Sequence, residues 1–128
     1  MIKKTVTYKN FNDVEVTEDC YFNYTESQLA DLEMSVGGGL SATLRSLSAA
    51  QNETELYKVF RQLILGAYGI KSADGRKFMK SKEISEDFEQ TAAYNAIFME
   101  LVTNTDKAIE FVNNLIPESL KEKMSKVN

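Results

Sequence analysis

Two long amphipathic helical patterns constrain this chain more than any other feature. The first occupies residues 53–69, the second occupies residues 81–102, and a polar connector over residues 70–80 joins them. Each pattern repeats apolar side chains at the spacing of one helix face. In the second, the apolar positions extend well beyond a narrow stripe, so we expect that helix to be covered on more than one side. The remaining elements are expected to pack around this helical pair.

The N-terminal residues alternate apolar and polar side chains, as strands do. Residues Lys3–Tyr8 and Val14–Tyr24 show this alternation, and Asn10–Asp13 supplies turn-forming residues between them, which predicts a β-hairpin. A two-stranded hairpin is only marginally stable by itself in water. We therefore expect it either to pack against the helices or to pair with another chain, and its edges are an available assembly surface.

Two further helical segments lie between the hairpin and the central pair. Thr25 and Gln28 have the spacing of a capping box, which predicts a helix over Glu26–Val36. The run Gly37–Gly39 is expected to end it, because glycine loses more backbone conformational freedom in a helix than any other residue. A second helical stripe begins at Leu40.

The boundaries of the later helices also have local signals. Asn52 is expected to cap the third helix, and Gly69 is expected to end it as a left-handed residue. A short fifth helix is predicted over Ala108–Ile116, because Pro117 can open a helix but not continue one. The predicted fold class is α+β and mostly α-helical, with an N-terminal β-hairpin followed by about five helices. We expect a single domain over 1–117, divided into the hairpin (1–24) and a helical core (25–117), with a charged, frayed tail over 118–128.

The charge and hydropathy of the chain limit its partners. A net charge of -4 over 128 residues is the opposite of the basic surface by which nucleic-acid binders are recognised. No apolar run approaches the ~20 residues that a membrane span needs, and no apolar segment follows the N-terminal lysines as in a secretory signal. We therefore expect a protein partner, no nucleic acid, no membrane and a cytoplasmic location.

The side-chain inventory leaves little catalytic chemistry. The chain has no histidine and a single cysteine, Cys20, which removes the commonest general base and the usual four nitrogen or sulfur ligands of a zinc site. Cys20 lies in a predicted strand and is interpreted as a buried thiol. The acidic residues over Glu83–Glu89 are interpreted as complementing a helix dipole rather than holding a cation. No enzyme activity, metal or cofactor is expected.

Methionine and aromatic side chains are the candidates for partner binding. Such side chains more often form a core, but they also suit a soft docking surface that adapts to different partners. The basic residues of the connector add a positive charge that suits an acidic partner segment, although a solvated loop is the simpler interpretation. The candidate partner-binding residues are Phe60, Tyr68, Arg76, Phe78, Met79, Tyr94, Phe98 and Met99.

A longer pattern carries a family resemblance. It reads Ala67-Tyr68-Gly69-x-Lys71-Ser72-x-Asp74-Gly75-Arg76-x-Phe78-x-Lys80-Ser81, then Phe88-Glu89-x-Thr91-x-Ala93-Tyr94 and Phe98-x-Glu100-Leu101. In these residues the chain resembles the tail assembly chaperones of long-tailed siphophages and of related prophages of Gram-positive bacteria. The pattern covers about half of the chain and includes no catalytic signature.

The resemblance implies a non-catalytic helper of viral morphogenesis. Such a helper binds the tape measure protein, keeps it soluble and helps recruit tail tube protein subunits, in the cytoplasm of the bacterial host and without remaining in the mature virion. Self-association, through the hairpin or through helix faces, is expected to multiply weak contacts along a long client. The alternative is a minor structural protein of the phage tail or neck.

Overall fold

The computed structural model describes residues 1–35 and 53–115, together with residues 45, 46 and 49. Its elements are β1 (Ile2–Lys9), β2 (Glu15–Phe22), α1 (Glu26–Ser35), α2 (Glu53–Ala67), β3 (Tyr68–Lys71), β4 (Phe78–Met79), α3 (Lys82–Glu89), α4 (Ala92–Val102) and α5 (Thr105–Leu115). The predicted fold class is confirmed, because an N-terminal antiparallel hairpin precedes five helices in these ranges. The predictions for Gly37–Gly39, Leu40, Asn52 and the tail lie outside the described residues.

The N-terminal hairpin pairs within the chain. Strands β1 and β2 are antiparallel in an unbroken register from Ile2 opposite Phe22 to Lys9 opposite Glu15. The side chains alternate as predicted, because Val6 and the even-numbered residues of β1 face the helices while the odd-numbered ones are exposed. The hairpin is the first half of a four-stranded sheet in the order β1-β2-β3-β4.

The capping box at the start of α1 is confirmed. The Thr25 hydroxyl accepts from the Gln28 backbone N–H at 3.2 Å, and the Gln28 side-chain oxygen accepts from the Thr25 N–H at 3.0 Å. Each side chain thus satisfies an N–H that the helix itself leaves unbonded. Leu29, in the first turn, is completely buried.

Two boundaries differ from the prediction. Gly69 does not end α2 as a left-handed residue; it lies in β3, where it pairs with Tyr21 of β2. The helix predicted over residues 81–102 is two helices, because Thr91 takes an extended conformation and its hydroxyl accepts from the Tyr94 N–H. Gln90 closes α3, so a local cap interrupts a stripe that is continuous in sequence.

The connector over residues 70–80 is also more ordered than predicted. It contains the second half of β3 and all of β4, which pair with each other through Ile70 opposite Met79. The short strand β3 exists because the neighbouring strand β2 supplies its backbone partners at Tyr21 and Phe22. The pairing of β3 with β2 is nonlocal, and the connector sequence itself has no strand pattern.

The core lies between the inner face of the sheet and the helices. Phe22 is completely buried at its centre and makes edge-to-face contacts with the rings of Tyr68, Phe88 and Phe111, at centroid distances of 5.4 to 6.0 Å. This is the geometry that aromatic pairs prefer. The fifth helix predicted from residue 108 is present as α5 over its described part, and Asn104 caps it by accepting from the Lys107 N–H.

Candidate protein-binding surface

The connector between α2 and α3 forms a braced hairpin that displays two apolar side chains. The Asp74 carboxylate accepts from the Ser72 hydroxyl at 2.7 Å, and this bond lowers the pKa of Asp74 below its ordinary value. Gly75 has a φ of 74°, which a residue with a Cβ adopts only under strain. The turn holds Ile70 opposite Met79, and their side chains are 45% and 41% exposed.

Phe78 packs inside this hairpin, and Lys80, just after β4, contacts Tyr24, just after β2. The Phe78 ring lies directly over Gly69, where an added Cβ would come within 2.5 Å of a ring carbon. The Lys80 ammonium lies 4.5 Å from the centroid of the Tyr24 ring, a cation–π contact, and burial lowers its pKa. The basic residues predicted for the connector therefore do not form one surface, because Lys80 is half-buried against the fold while Arg76 is exposed.

A groove of about 180 Å³ lies beside the hairpin, between β3 and α3. Its floor is the stacked pair Tyr68 and Phe88, whose ring centroids are 3.8 Å apart. Burial, reinforced by neighbouring acidic groups, raises the pKa of the Tyr68 phenol. The groove is lined by Glu18, Tyr68, Ile70, Ile84, Asp87, Phe88 and Thr91. An apolar floor between two carboxylates suits an apolar side chain that has a basic neighbour.

A row of aromatic rings connects the core to a second exposed surface, on α2 and α4. Phe88 contacts Tyr94 at 5.6 Å between centroids, Tyr94 contacts Phe98 at 5.7 Å, and Phe98 contacts Tyr57 at 6.1 Å. Tyr57 is 40% exposed and Met99, one residue after Phe98, is 47% exposed. The row ends at the surface, so its outer members are held by packing while they face solvent.

The tip of the N-terminal hairpin is a third apolar surface. Phe11 is 81% exposed and Val14 is 53% exposed. The tip is ordered by Asn10, whose side-chain oxygen accepts from the backbone N–H groups of Asn12 (2.9 Å) and Val14 (3.1 Å). Asp13 has a φ of 60°, a conformation that aspartate tolerates better than most residues. Phe11 is therefore presented to solvent on a braced turn.

The eight predicted partner-binding residues separate into three groups by exposure. Phe60 and Tyr94 lie in the core, while Tyr68, Phe78 and Phe98 are half-buried. Arg76, Met79 and Met99 are exposed. Ile70, Tyr57 and Phe11 are also exposed apolar residues, and they were not among the predicted candidates. Each could have been found as an apolar residue at a position that the predicted helix face, turn or connector exposes to solvent.

Some chemical functions have no site among the described residues. No group of three histidine, cysteine, aspartate or glutamate side chains is placed to hold a metal ion within residues 1–35 and 53–115. Cys20 is buried, as predicted, and burial raises the pKa of its thiol to about 11, which makes it a poor nucleophile. In the described part of the chain, no helix has the length and apolar character to cross a membrane.

The fold and these surfaces define a small α+β protein with a net negative charge. Among its described residues, apolar side chains are exposed on the β3–β4 hairpin, on α2 and α4, and at the tip of the N-terminal hairpin. The family model described as phage tail assembly chaperone matches residues 1–127. The chain therefore belongs to the phage tail assembly chaperones, and the resemblance is confirmed. Neither the curated proteins nor the solved structures contain a significant match to it. Family membership gives it a role in phage tail assembly inside the host cell, with partners among tail-related proteins.

Proposed function

We propose that this chain binds the tape measure protein of its own phage or prophage, keeps it soluble and helps recruit tail tube subunits around it. It acts without catalysis in the cytoplasm of the bacterial host and is absent from the mature virion. The observation that supports this proposal is the set of exposed apolar side chains held in place by the fold, with Met99, Ile70 and Met79 among them.

These side chains suit a client that is long and hydrophobic. Methionine adapts its shape to different apolar surfaces, and Met99 and Met79 are both exposed. Three separate apolar surfaces on one chain allow several weak contacts along an extended client, and self-association multiplies them further. The net charge of -4 gives the complex a repulsive surface that opposes aggregation.

Co-expression with the tape measure protein of the same phage tests this proposal. The measured quantities are the soluble fraction of the large protein and the amount that co-purifies with this chain. The informative variant is Met99→Asp, which places a charge on the exposed face of α4. Asn95→Asp is its matched control, because Asn95 is exposed on the same helix face and the substitution adds the same charge.

The wild-type chain and the Asn95→Asp variant are expected to solubilise and retain the client, whereas Met99→Asp retains less of it. A client that stays insoluble with the wild-type chain refutes the proposed function. Equal retention by both variants refutes the assignment of the α4 surface. Mass spectrometry of purified virions separates the chaperone from a minor structural protein of the tail or neck, which would be present in finished particles.

A further inference from the structure

Strand β1 is an open edge of the sheet. In the strand order β1-β2-β3-β4 it is terminal, and within residues 1–35 and 53–115 its backbone pairs on one side only, with β2. The pairing covers all eight residues without a bulge. A long, regular edge strand is a template on which an extended segment adds by main-chain hydrogen bonds.

The register identifies the open backbone groups. The Asn10 N–H donates to the Val14 carbonyl at 2.9 Å, so this pair directs its hydrogen bonds inward across the hairpin. Hydrogen-bonded and non-hydrogen-bonded pairs alternate along an antiparallel ladder. The outward N–H and C=O groups of β1 therefore belong to its odd-numbered residues, Lys3, Thr5, Thr7 and Lys9.

The charged residues of β1 itself are all lysines. Strand β1 contains Lys3, Lys4 and Lys9 and no acidic residue. Its partner β2 is complementary: Lys9 lies opposite Glu15, and the Thr5 hydroxyl donates to Asp19 at 2.6 Å. Acidic residues of β2 thus lie opposite basic and polar residues of β1. Lys3 and Lys9 are exposed beside the open edge, whereas Lys4 is bound to Glu100.

A groove of about 230 Å³ lies next to this edge, between β1 and α5. Ile2 and Phe111 form its apolar part. Its charges are largely paired, because Glu100 binds both Lys4 at 3.1 Å and Lys107 at 3.4 Å. The side chains that an added strand directs toward the helices would enter this groove, which has room for an apolar side chain.

We infer that β1 binds an extended segment of another protein in which acidic and apolar residues alternate. The segment adds as a fifth strand, with its carboxylates beside Lys3 and Lys9 and its apolar side chains over the groove at Ile2 and Phe111. The β1 strand of a second copy is the weaker occupant, because it brings the same lysines and no acid. This inference does not rest on the proposed function, and the edge adjoins only the surface at the hairpin tip.

The test uses the full chain and a short fluorescent peptide that alternates glutamate with valine. A peptide with lysine in place of every glutamate is the matched control. Binding is measured by fluorescence anisotropy, and amide hydrogen exchange locates the site. Two chain variants accompany the wild type: the double substitution Lys3→Glu and Lys9→Glu, and Thr7→Pro, which removes an outward N–H. Thr7→Ala keeps that N–H and controls for the lost side chain.

The acidic peptide is expected to bind saturably and to protect the amides of Thr5 and Thr7. The double charge reversal should weaken binding about tenfold, equivalent to about 1.4 kcal/mol, and Thr7→Pro should abolish it while Thr7→Ala does not. If Thr7→Pro disturbs the fold, peptide binding by the variant with Lys3→Glu and Lys9→Glu still tests the inference. Absence of binding, equal binding of the lysine peptide, protection elsewhere, or sedimentation that shows self-association through β1 would each overturn the inference.

Discussion

The contact between Tyr24 and Gly66 predicts that Gly66→Ala has opposite effects on stability in two backgrounds. It should destabilise the wild-type protein and stabilise a variant that lacks the Tyr24 hydroxyl. Tyr24 is buried, and its hydroxyl donates to the Leu63 carbonyl at 2.9 Å. A Cβ added at Gly66 would lie 2.5 Å from the tyrosine oxygen but 3.4 Å from the ring carbon that carries it. The steric conflict is therefore with the hydroxyl alone, and the variants Gly66→Ala and Tyr24→Phe form a double-mutant cycle.

The magnitudes follow from the geometry. In the wild-type background, Gly66→Ala gains about 0.5–1 kcal/mol of helix stability but loses about 1–3 kcal/mol to overpacking against the hydroxyl. We expect net destabilisation of about 1 kcal/mol. Tyr24→Phe alone loses one buried hydrogen bond, at a cost of about 1 kcal/mol. With the hydroxyl absent, Gly66→Ala should stabilise by about 0.5 kcal/mol, since only ordinary ring contact remains.

Urea unfolding of the four proteins, followed by circular dichroism, gives the coupling free energy. We expect a coupling of about 1–3 kcal/mol, well above the additivity error of about 0.3–0.5 kcal/mol. If the slope of the free energy of unfolding against urea concentration is the same for all four proteins, unfolding exposes the same amount of surface in each. If Gly66→Ala has the same effect in both backgrounds, the close approach of Tyr24 to α2 is wrong.

Three further predictions concern other parts of the fold. Gly69→Ala should lower the free energy of unfolding by about 1–3 kcal/mol, because its Cβ would meet the Phe78 ring at 2.5 Å; thermal unfolding measures this, and an unchanged midpoint contradicts it. The Cys20 thiol, with its pKa raised to about 11 by burial, should react with a disulfide reagent at pH 8 only after unfolding; rapid reaction of the native protein contradicts its burial. Burial opposes ionisation of Glu100, but the bonds from Lys4 and Lys107 hold its pKa below the ordinary 4.5. Its stabilising contribution is therefore complete above pH 4.5 and is lost as the pH falls through the folded-state pKa. Lys4→Met should reduce the loss of unfolding free energy between neutral and acidic pH, by less than about 1 kcal/mol.

Local signals predicted the elements whose ends are determined by adjacent residues. The capping box at Thr25 and Gln28 is such a signal, because both of its hydrogen bonds join residues three apart. The cap at Thr91 is equally local, but the apolar stripe continues through it, and sequence reasoning followed the stripe. A hydroxyl that accepts the Tyr94 N–H was enough to divide one predicted helix into two.

Nonlocal pairing explains the connector. Strand β3 depends on Tyr21 and Phe22, which lie more than forty residues earlier in the chain, and no local pattern encodes that partnership. The candidate surface divides for a related reason. Phe60 and Phe98 both occur at helical spacing, but Phe60 is buried in the core, whereas Phe98 is half-buried beside Tyr57. Spacing alone identifies the apolar face of a helix and not its neighbours.

The proposed interaction with the tape measure protein is tested most directly inside the host cell. The gene for this chain is deleted from its phage or prophage, and the soluble fraction of the tape measure protein is measured during assembly, with and without complementation by the wild-type gene. We predict that the tape measure protein becomes insoluble in the deletion strain and soluble again on complementation. A tape measure protein that remains soluble without this chain would contradict the account.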